Sequence, residues 1–234
     1  MMIVWIFLGL GTGWVIHHLS DYMPRFALRP PARPASGPVP APLAVGQLFR
    51  PDLGQPWIRL DAAVEMGTAV YFAWAWMFYG LSWNLLLHLV AFVFFVLVAV
   101  IDIKFRLVLN VLMYPAVVLI VLAQLVIDPT HMMNVLVGGA FAFSIFYGTA
   151  RIKPEGLGGG DIKLALLIGL LFGFPGVLFA LLLGAGATAV FIVTLLVTRR
   201  GGLKTHIPYA PFLCFGALAA LMLSPLWLGS GVLG

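Results

Sequence analysis

Two of the eight carboxylates in this chain stand where a carboxylate is hardest to explain. Asp102 directly follows the apolar run Phe92-Val93-Phe94-Phe95-Val96-Leu97-Val98-Ala99-Val100-Ile101. Asp161 closes the string Gly156-Leu157-Gly158-Gly159-Gly160-Asp161, immediately before another apolar stretch. An ionisable group at the edge of an apolar segment is costly when dehydrated, so its default reading is functional. Two such carboxyls a few ångströms apart cannot both ionise comfortably, and they share a proton. The ionised member can then take a proton from water while the protonated member polarises a peptide carbonyl, which is aspartic-peptidase chemistry.

The other six acids have ordinary explanations. Asp21, Asp52 and Asp61 fall in or beside a long polar loop, where solvation accounts for them. Asp128 precedes Pro129 in a turn, Glu65 opens an apolar segment where a helix N-terminus welcomes negative charge, and Glu155 lies in the glycine-rich loop. For Asp102 and Asp161 the bland alternative is an ion pair with the near neighbour, Lys104 or Lys163. The glycine string lacks the Gly-Lys-Ser/Thr ending of a phosphate loop, and no strand precedes it as a dinucleotide turn requires. Gly156, Gly158 and Gly160 are instead expected to let backbone approach an extended substrate, using φ values closed to other residues.

Helix polarity orders the pair. Asp161 is expected at a helix start, where the dipole and Lys163 favour the carboxylate; Asp102 is expected at a helix end, where the dipole favours the proton. Asp161 is thus the expected general base and Asp102 the proton donor.

The elements that must hold these groups are helices in lipid. Of 234 residues, 62% are hydrophobic and 9% charged, with a mean hydropathy of +1.09. That is too little charge to cover a water-soluble surface, so the fold class expected is an all-α integral membrane bundle. The stretches free of Asp, Glu, Lys and Arg are 1–20, 66–101, 107–127, 129–150, 164–198 and 205–234. One crossing takes roughly 20 apolar residues. Residues 66–101 and 164–198 therefore suit two spans each, turning at Gly80-Leu81-Ser82-Trp83-Asn84 and at Gly173-Phe174-Pro175-Gly176. About eight transmembrane helices result, the sixth a short one over roughly Ile162 to Phe172.

Three segments follow: a first span over 1–19, a Pro-rich loop over 20–61 and a seven-span unit over 62–234. Residues 1–19 lack the basic start and the small-x-small cleavage site of a signal peptide, so a retained span is expected. The segment Arg29-Pro30-Pro31-Ala32-Arg33-Pro34-Ala35-Ser36-Gly37-Pro38 favours extended, solvated backbone. With eight spans, all 13 Lys and Arg residues fall in the odd-numbered connections. That side is expected to be cytoplasmic, with both termini outside. The net charge of +5 is thus a topology signal, and no nucleic-acid partner is expected.

Assembled in this order, the residues resemble the prepilin peptidases, the type IV leader peptidases among the Gly-x-Gly-Asp membrane aspartic proteases. The resemblance spans about Ala62 to Ala220. Gly156 to Leu164 is similar to the family's second-aspartate motif, and Ala99 to Asn110 to its first. Ile207-Pro208-Tyr209-Ala210-Pro211-Phe212 resembles the Ile-Pro-Phe-Gly-Pro-Phe string opening its last span. Arg59 to Glu65 resembles the segment opening its second span, and Gly13 to Arg25 is a fainter echo of its amino-terminal segment.

The resemblance implies catalysis by Asp102 and Asp161, with Gly156, Gly158, Gly160, Lys104, Lys163 and Pro208 binding substrate or supporting the loops. It implies a prepilin or pseudopilin partner whose basic leader is cut after a glycine, just before its apolar stem, at the cytoplasmic face of a prokaryotic inner membrane. Larger members carry zinc on two cysteine pairs in the first loop and also methylate the new amino terminus. This chain has one cysteine, Cys214, outside that loop, so no zinc, no other cofactor and no methyl transfer are expected. It also has Leu109 before Asn110 where members often have Pro.

Two rival readings bear on the same aspartates. A proton-coupled secondary transporter would place its carboxylates at the bilayer midplane within an internal repeat. The sequence places them at the edge and shows no repeat. A non-catalytic assembly subunit would use them only in ion pairs. The five histidines, His17, His18, His88, His131 and His206, do not cluster in sequence, so no metal site is expected.

Overall fold

Helices form wherever the apolar runs are uninterrupted, and they stop at residues able to leave helical geometry. The structure, a computed structural model, describes residues 2–27, 58–127, 129–152, 158–198 and 209–227. Among these there is no strand. The helices are α1 (Met2–Ala27), α2 (Ile58–Tyr79), α3 (Trp83–Phe105), α4 (Asn110–Ile127), α5 (Met132–Ile152), α6 (Gly159–Val197) and α7 (Ala210–Trp227), with a 3-10 turn at Pro129–His131. Four of them (α1, α3, α5 with the turn before it, and α6) are long and apolar enough to cross a membrane, and α4 and α7 are shorter apolar helices.

Both expected hairpin tips are breaks in the helical backbone. α2 stops at Tyr79, Gly80 takes φ +56°, and the Ser82 side chain caps α3 by accepting from the Leu85 N–H at 3.2 Å. Within α6, Gly173 (φ 61°, ψ 178°) and Phe174 (φ −93°, ψ 134°) leave helical geometry, dividing the element into limbs 159–173 and 174–197. The first limb begins at Gly159, three residues before the expected start.

Close backbone approaches give the direction of each helix. α1 and α2 run antiparallel, with Gly9 against Ala69, Gly13 against Glu65, and Thr68 Oγ1 donating to the Gly9 carbonyl at 2.8 Å. Tyr71 of α2 stacks on Phe92 of α3 at 3.7 Å between ring centroids. Gly138 of α5 packs on Gly169 and Gly173 of the first limb, backbone against backbone. Small residues allow this in lipid, where packing rather than water exclusion drives helix association.

α7 runs against α3, because Cys214 lies within reach of the Asp102 charge while Leu218 packs on the cluster of Leu85, Leu89 and Phe92. The second limb of α6 is antiparallel to α7: Gly184 meets Phe212 and Leu213, and Gly216 meets Ala180. α4 runs parallel to the first limb, with Val108 against Gly160, and Asn110 and Tyr114 against Lys163. The two limbs of α6 consequently run in opposite directions. The break is a reversal.

The main core gathers side chains of α3, α4, both limbs of α6 and α7, among them Phe95, Met113, Leu167, Ala180 and Leu221. Two differences from the sequence reading matter for the site. α1 continues through Ser20 to Ala27 rather than ending at Leu19, so Asp21 stands on a helix facing the bundle. α2 begins at Ile58 rather than beyond Asp61, which makes Asp61 its first-turn acid. Residues 28–57, with Asp52 and the Pro-rich segment, lie outside the described residues, as do Asp128, Glu155 and His206.

Candidate active site

Asp102 sits in the last turn of α3, 5% exposed, and its Oδ2 is buried without a hydrogen-bond partner among the described residues. Its backbone carbonyl accepts from the Arg106 N–H at 2.7 Å, closing the helix. That closure places Arg106 in the left-handed region (φ 54°, ψ 42°), so the chain turns sharply into 107–109 and on to α4.

Asp161 is the third residue of α6. Its Oδ2 accepts from the Gly158 N–H at 3.1 Å, and its own N–H donates to the Gly158 carbonyl at 3.1 Å. The carboxylate supplies one half of a capping box, satisfying a backbone donor at the helix start. One turn of helix thereby fixes where the carboxylate points.

Gly160 brings the two together. A Cβ at that position would lie 2.5 Å from Val108 Cβ, so the first turn of α6 packs directly on the segment that follows α3. Among the described residues positive φ occurs only at Gly80, Arg106 and Gly173. Gly158 and Gly160 therefore do not use left-handed backbone as the sequence reading expected; Gly160 is needed for close approach. Asp102 lies within the electrostatic reach of Asp161, and Cys214, in the first turns of α7, within reach of both.

Neither lysine pairs with its neighbouring aspartate. Lys104 Nζ, on a side chain 4% exposed, lies 3.0 Å from Asp21 Oδ1, 3.2 Å from Asp61 Oδ1, 3.2 Å from Ser20 Oγ and 3.3 Å from His17 Nδ1. His17 Nδ1 is also 2.9 Å from Asp61 Oδ1. This cluster ties the carboxyl ends of α1 and α3 to the amino end of α2. It corrects the assignment of Asp21 and Asp61 to solvent. A buried ammonium needs such partners, and only acids from other helices can reach it. Lys163 Nζ donates to Asn110 Oδ1 at 2.6 Å and to the Tyr114 hydroxyl at 2.9 Å, with its charge 4.6 Å from the Tyr114 ring centroid. It fastens the start of α6 to α4.

Of the residues singled out in the sequence, Asp102, Asp161, Gly158 and Gly160 converge, whereas Lys104 and Lys163 contact other partners and brace the helices that carry the pair. Gly156 and Pro208 lie outside the described residues. Sequence reasoning missed His17, Ser20, Asp21, Asp61 and the left-handed turn at Arg106. One signal was present: His17 and Asp21 are four apart, hence on one face of any helix passing Leu19.

Residues 89–195 match the type IV leader peptidase family. The chain is 32% identical over 166 residues to a prepilin leader peptidase/N-methyltransferase of Bacillus subtilis (strain 168), an alignment covering 68% of this chain and 64% of that protein. No solved structure matches. Both Asp102 and Asp161, with most of each helix that carries them, fall inside the matched segment. Over that segment the chain is similar to the type IV leader peptidases, and it spans a little under two thirds of the length of the Bacillus relative.

Proposed function

Taking that likeness as the premise, we propose that this chain belongs to the type IV leader peptidase family and is a membrane aspartic endopeptidase. It removes the basic leader from type IV prepilin or pseudopilin precursors at the cytoplasmic face of a prokaryotic inner membrane. The observation that carries the reading is the meeting of two carboxyls from distant parts of the chain. Asp102 is buried with an unpartnered oxygen, and Asp161 is held at a helix start within reach of its charge.

In this reading the bundle crosses the membrane eight times, with both termini outside. α1 to α5 contribute five crossings, the limbs of α6 two and α7 one. Alternating helix directions support it, as does the gathering of Lys104, Arg106, Arg151 and Lys163 at the end that holds the aspartates. The first limb, 159–173, covers only about 22 Å at about 1.5 Å per residue, so the dyad lies inside the membrane edge, where an apolar stem begins.

Asp161, hydrogen-bonded at a helix N-terminus, takes a proton from the attacking water. Asp102 donates its proton to the developing oxyanion as the carbonyl carbon becomes tetrahedral. On collapse the C–N bond breaks, the departing amine takes the proton held by Asp161, and Asp102 regains its own. Lys104 and Lys163 are support residues, each anchoring the helix that carries one aspartate. Methyl transfer, which the name of the Bacillus relative adds, is not part of the reading, because residues 20–61 contain no cysteine.

The test is co-expression with a prepilin. Asp102→Asn and Asp161→Asn are each expected to abolish leader removal while the protein stays at wild-type level in the membrane. Substantial cleavage by either variant would sink the dyad.

A further inference from the structure

α3 and α4 are joined by only four residues, 106–109, yet they scarcely touch along their lengths. Between them lies a wholly apolar groove of about 320 Å³, with Phe94 and Phe95 of α3 on one wall, Ala116 and Leu119 of α4 on the other, and Leu167 and Leu171 of α6 on its floor. Its rims are open: Val90 is 61% and Leu119 65% exposed.

The groove is aligned with the two carboxylates. Phe95 is seven residues from Asp102 on α3, and Leu167 is six from Asp161 on α6. At about 1.5 Å per residue both lie about 10 Å outward from the dyad, and Leu87, at the far end, about 22 Å. All three helices leave the dyad in this direction, so the groove continues the site along the membrane normal. A helix is about 10–12 Å across with its side chains. The groove is too small for a whole helix and suits the side chains of one helical face.

We propose that the groove between α3 and α4 receives the apolar stem helix of the substrate, entering sideways from the lipid. This deepens the peptidase reading and rests on it. A stem seated here has its first residues at the dyad and its next two or three turns against Phe94, Ala116 and Leu171. The peptide bond ahead of the stem is then held at Asp102 and Asp161. Register along the groove, rather than side-chain recognition at the cut, would fix which bond is broken. A lipid acyl chain is the competing occupant.

The experiment places a photoreactive benzoylphenylalanine at Leu119 or Val90, exposed rim positions that tolerate bulk, in the full-length Asp161→Asn protein in vesicles with a stem-bearing prepilin. Crosslinks are expected to the stem two to three turns beyond the cleavage site. Crosslinks to lipid alone, or to the stem equally from Val193 on the second limb of α6, would overturn the proposal. Kinetics of the otherwise wild-type enzyme give a second reading: Ala116→Phe should raise KM for the stem-bearing substrate about tenfold more than for a leader peptide ending just past the cut. Equal penalties would count against the groove. An unsubstituted protein that cleaves neither substrate would instead remove the peptidase reading, and the proposal with it.

Discussion

The chain contains the tripeptide Asp-Ile-Lys twice, at 102–104 and at 161–163, and the two copies do opposite things. The first closes a helix; the second opens one. Asp102 is buried with an unpartnered oxygen, while Asp161 accepts from the backbone of its own helix start. Lys104 turns inward to two carboxylates on α1 and α2, and Lys163 turns to an amide and a phenol on α4. Identical residues thus acquire different roles from helix polarity and from the helices that pass nearby. An enzyme needing one proton donor and one base can obtain both from the same side chain placed at opposite helix ends.

The largest expected effects test whether the two copies are equally indispensable. Asp102→Asn and Asp161→Asn should each lower the cleavage rate by about a thousandfold or more in detergent-solubilised enzyme. A difference of more than about tenfold between them in residual rate would show that the sharing of work is unequal.

Gly160→Ala sharpens the geometry that joins the copies. The new methyl meets Val108 and lifts the start of α6, moving Asp161 from Asp102. A drop of about a hundredfold in kcat is expected, since a displacement of about 1 Å can cost that much. Gly159→Ala, whose Cβ meets nothing within 4 Å, should change kcat less than about threefold. Adding Val108→Ala to Gly160→Ala should recover part of the loss, and no recovery would refute the contact as the cause.

The two lysines come next. Lys104→Met leaves Asp21 and Asp61 with only the His17 ring beside them. Breaking a fully buried pair costs about 3–5 kcal/mol. Because Asp21 is 43% exposed, about 2 kcal/mol is expected here, read as a lower thermal midpoint in micelles. Lys163→Met, losing an exposed contact, should cost about 1 kcal/mol or less. Equal shifts would erase the contrast. The smallest effect belongs to Arg106→Gly, which relieves a left-handed residue and should raise stability by about 1 kcal/mol.

Much of this was legible in the sequence because it is local. The hairpin tips at Gly80 and Gly173 follow from the length of an apolar run and the residues that can break it. The two aspartates stand out because carboxylates are scarce in such a chain. What was not legible is non-local. Lys104 and Asp21 are 83 residues apart, and nothing in either segment encodes the other. A charge count also cannot distinguish a solvated acid from one turned toward a lysine on another helix. The extent of α1 past Leu19 was hidden for the same reason, since Ser20 and Asp21 read as loop until their partner is known. The glycines before Asp161 suggest conformational freedom, while Gly160 serves absence of volume. Composition looks the same in both cases.

Cys214, the chain's single thiol, is wholly buried in the first turns of α7, within the influence of both aspartates. The protein therefore carries a built-in gauge of how often the packing around this end of α7 opens. A maleimide can mark this sulfur only when that packing admits it. Marking kinetics would time such opening without any engineered label.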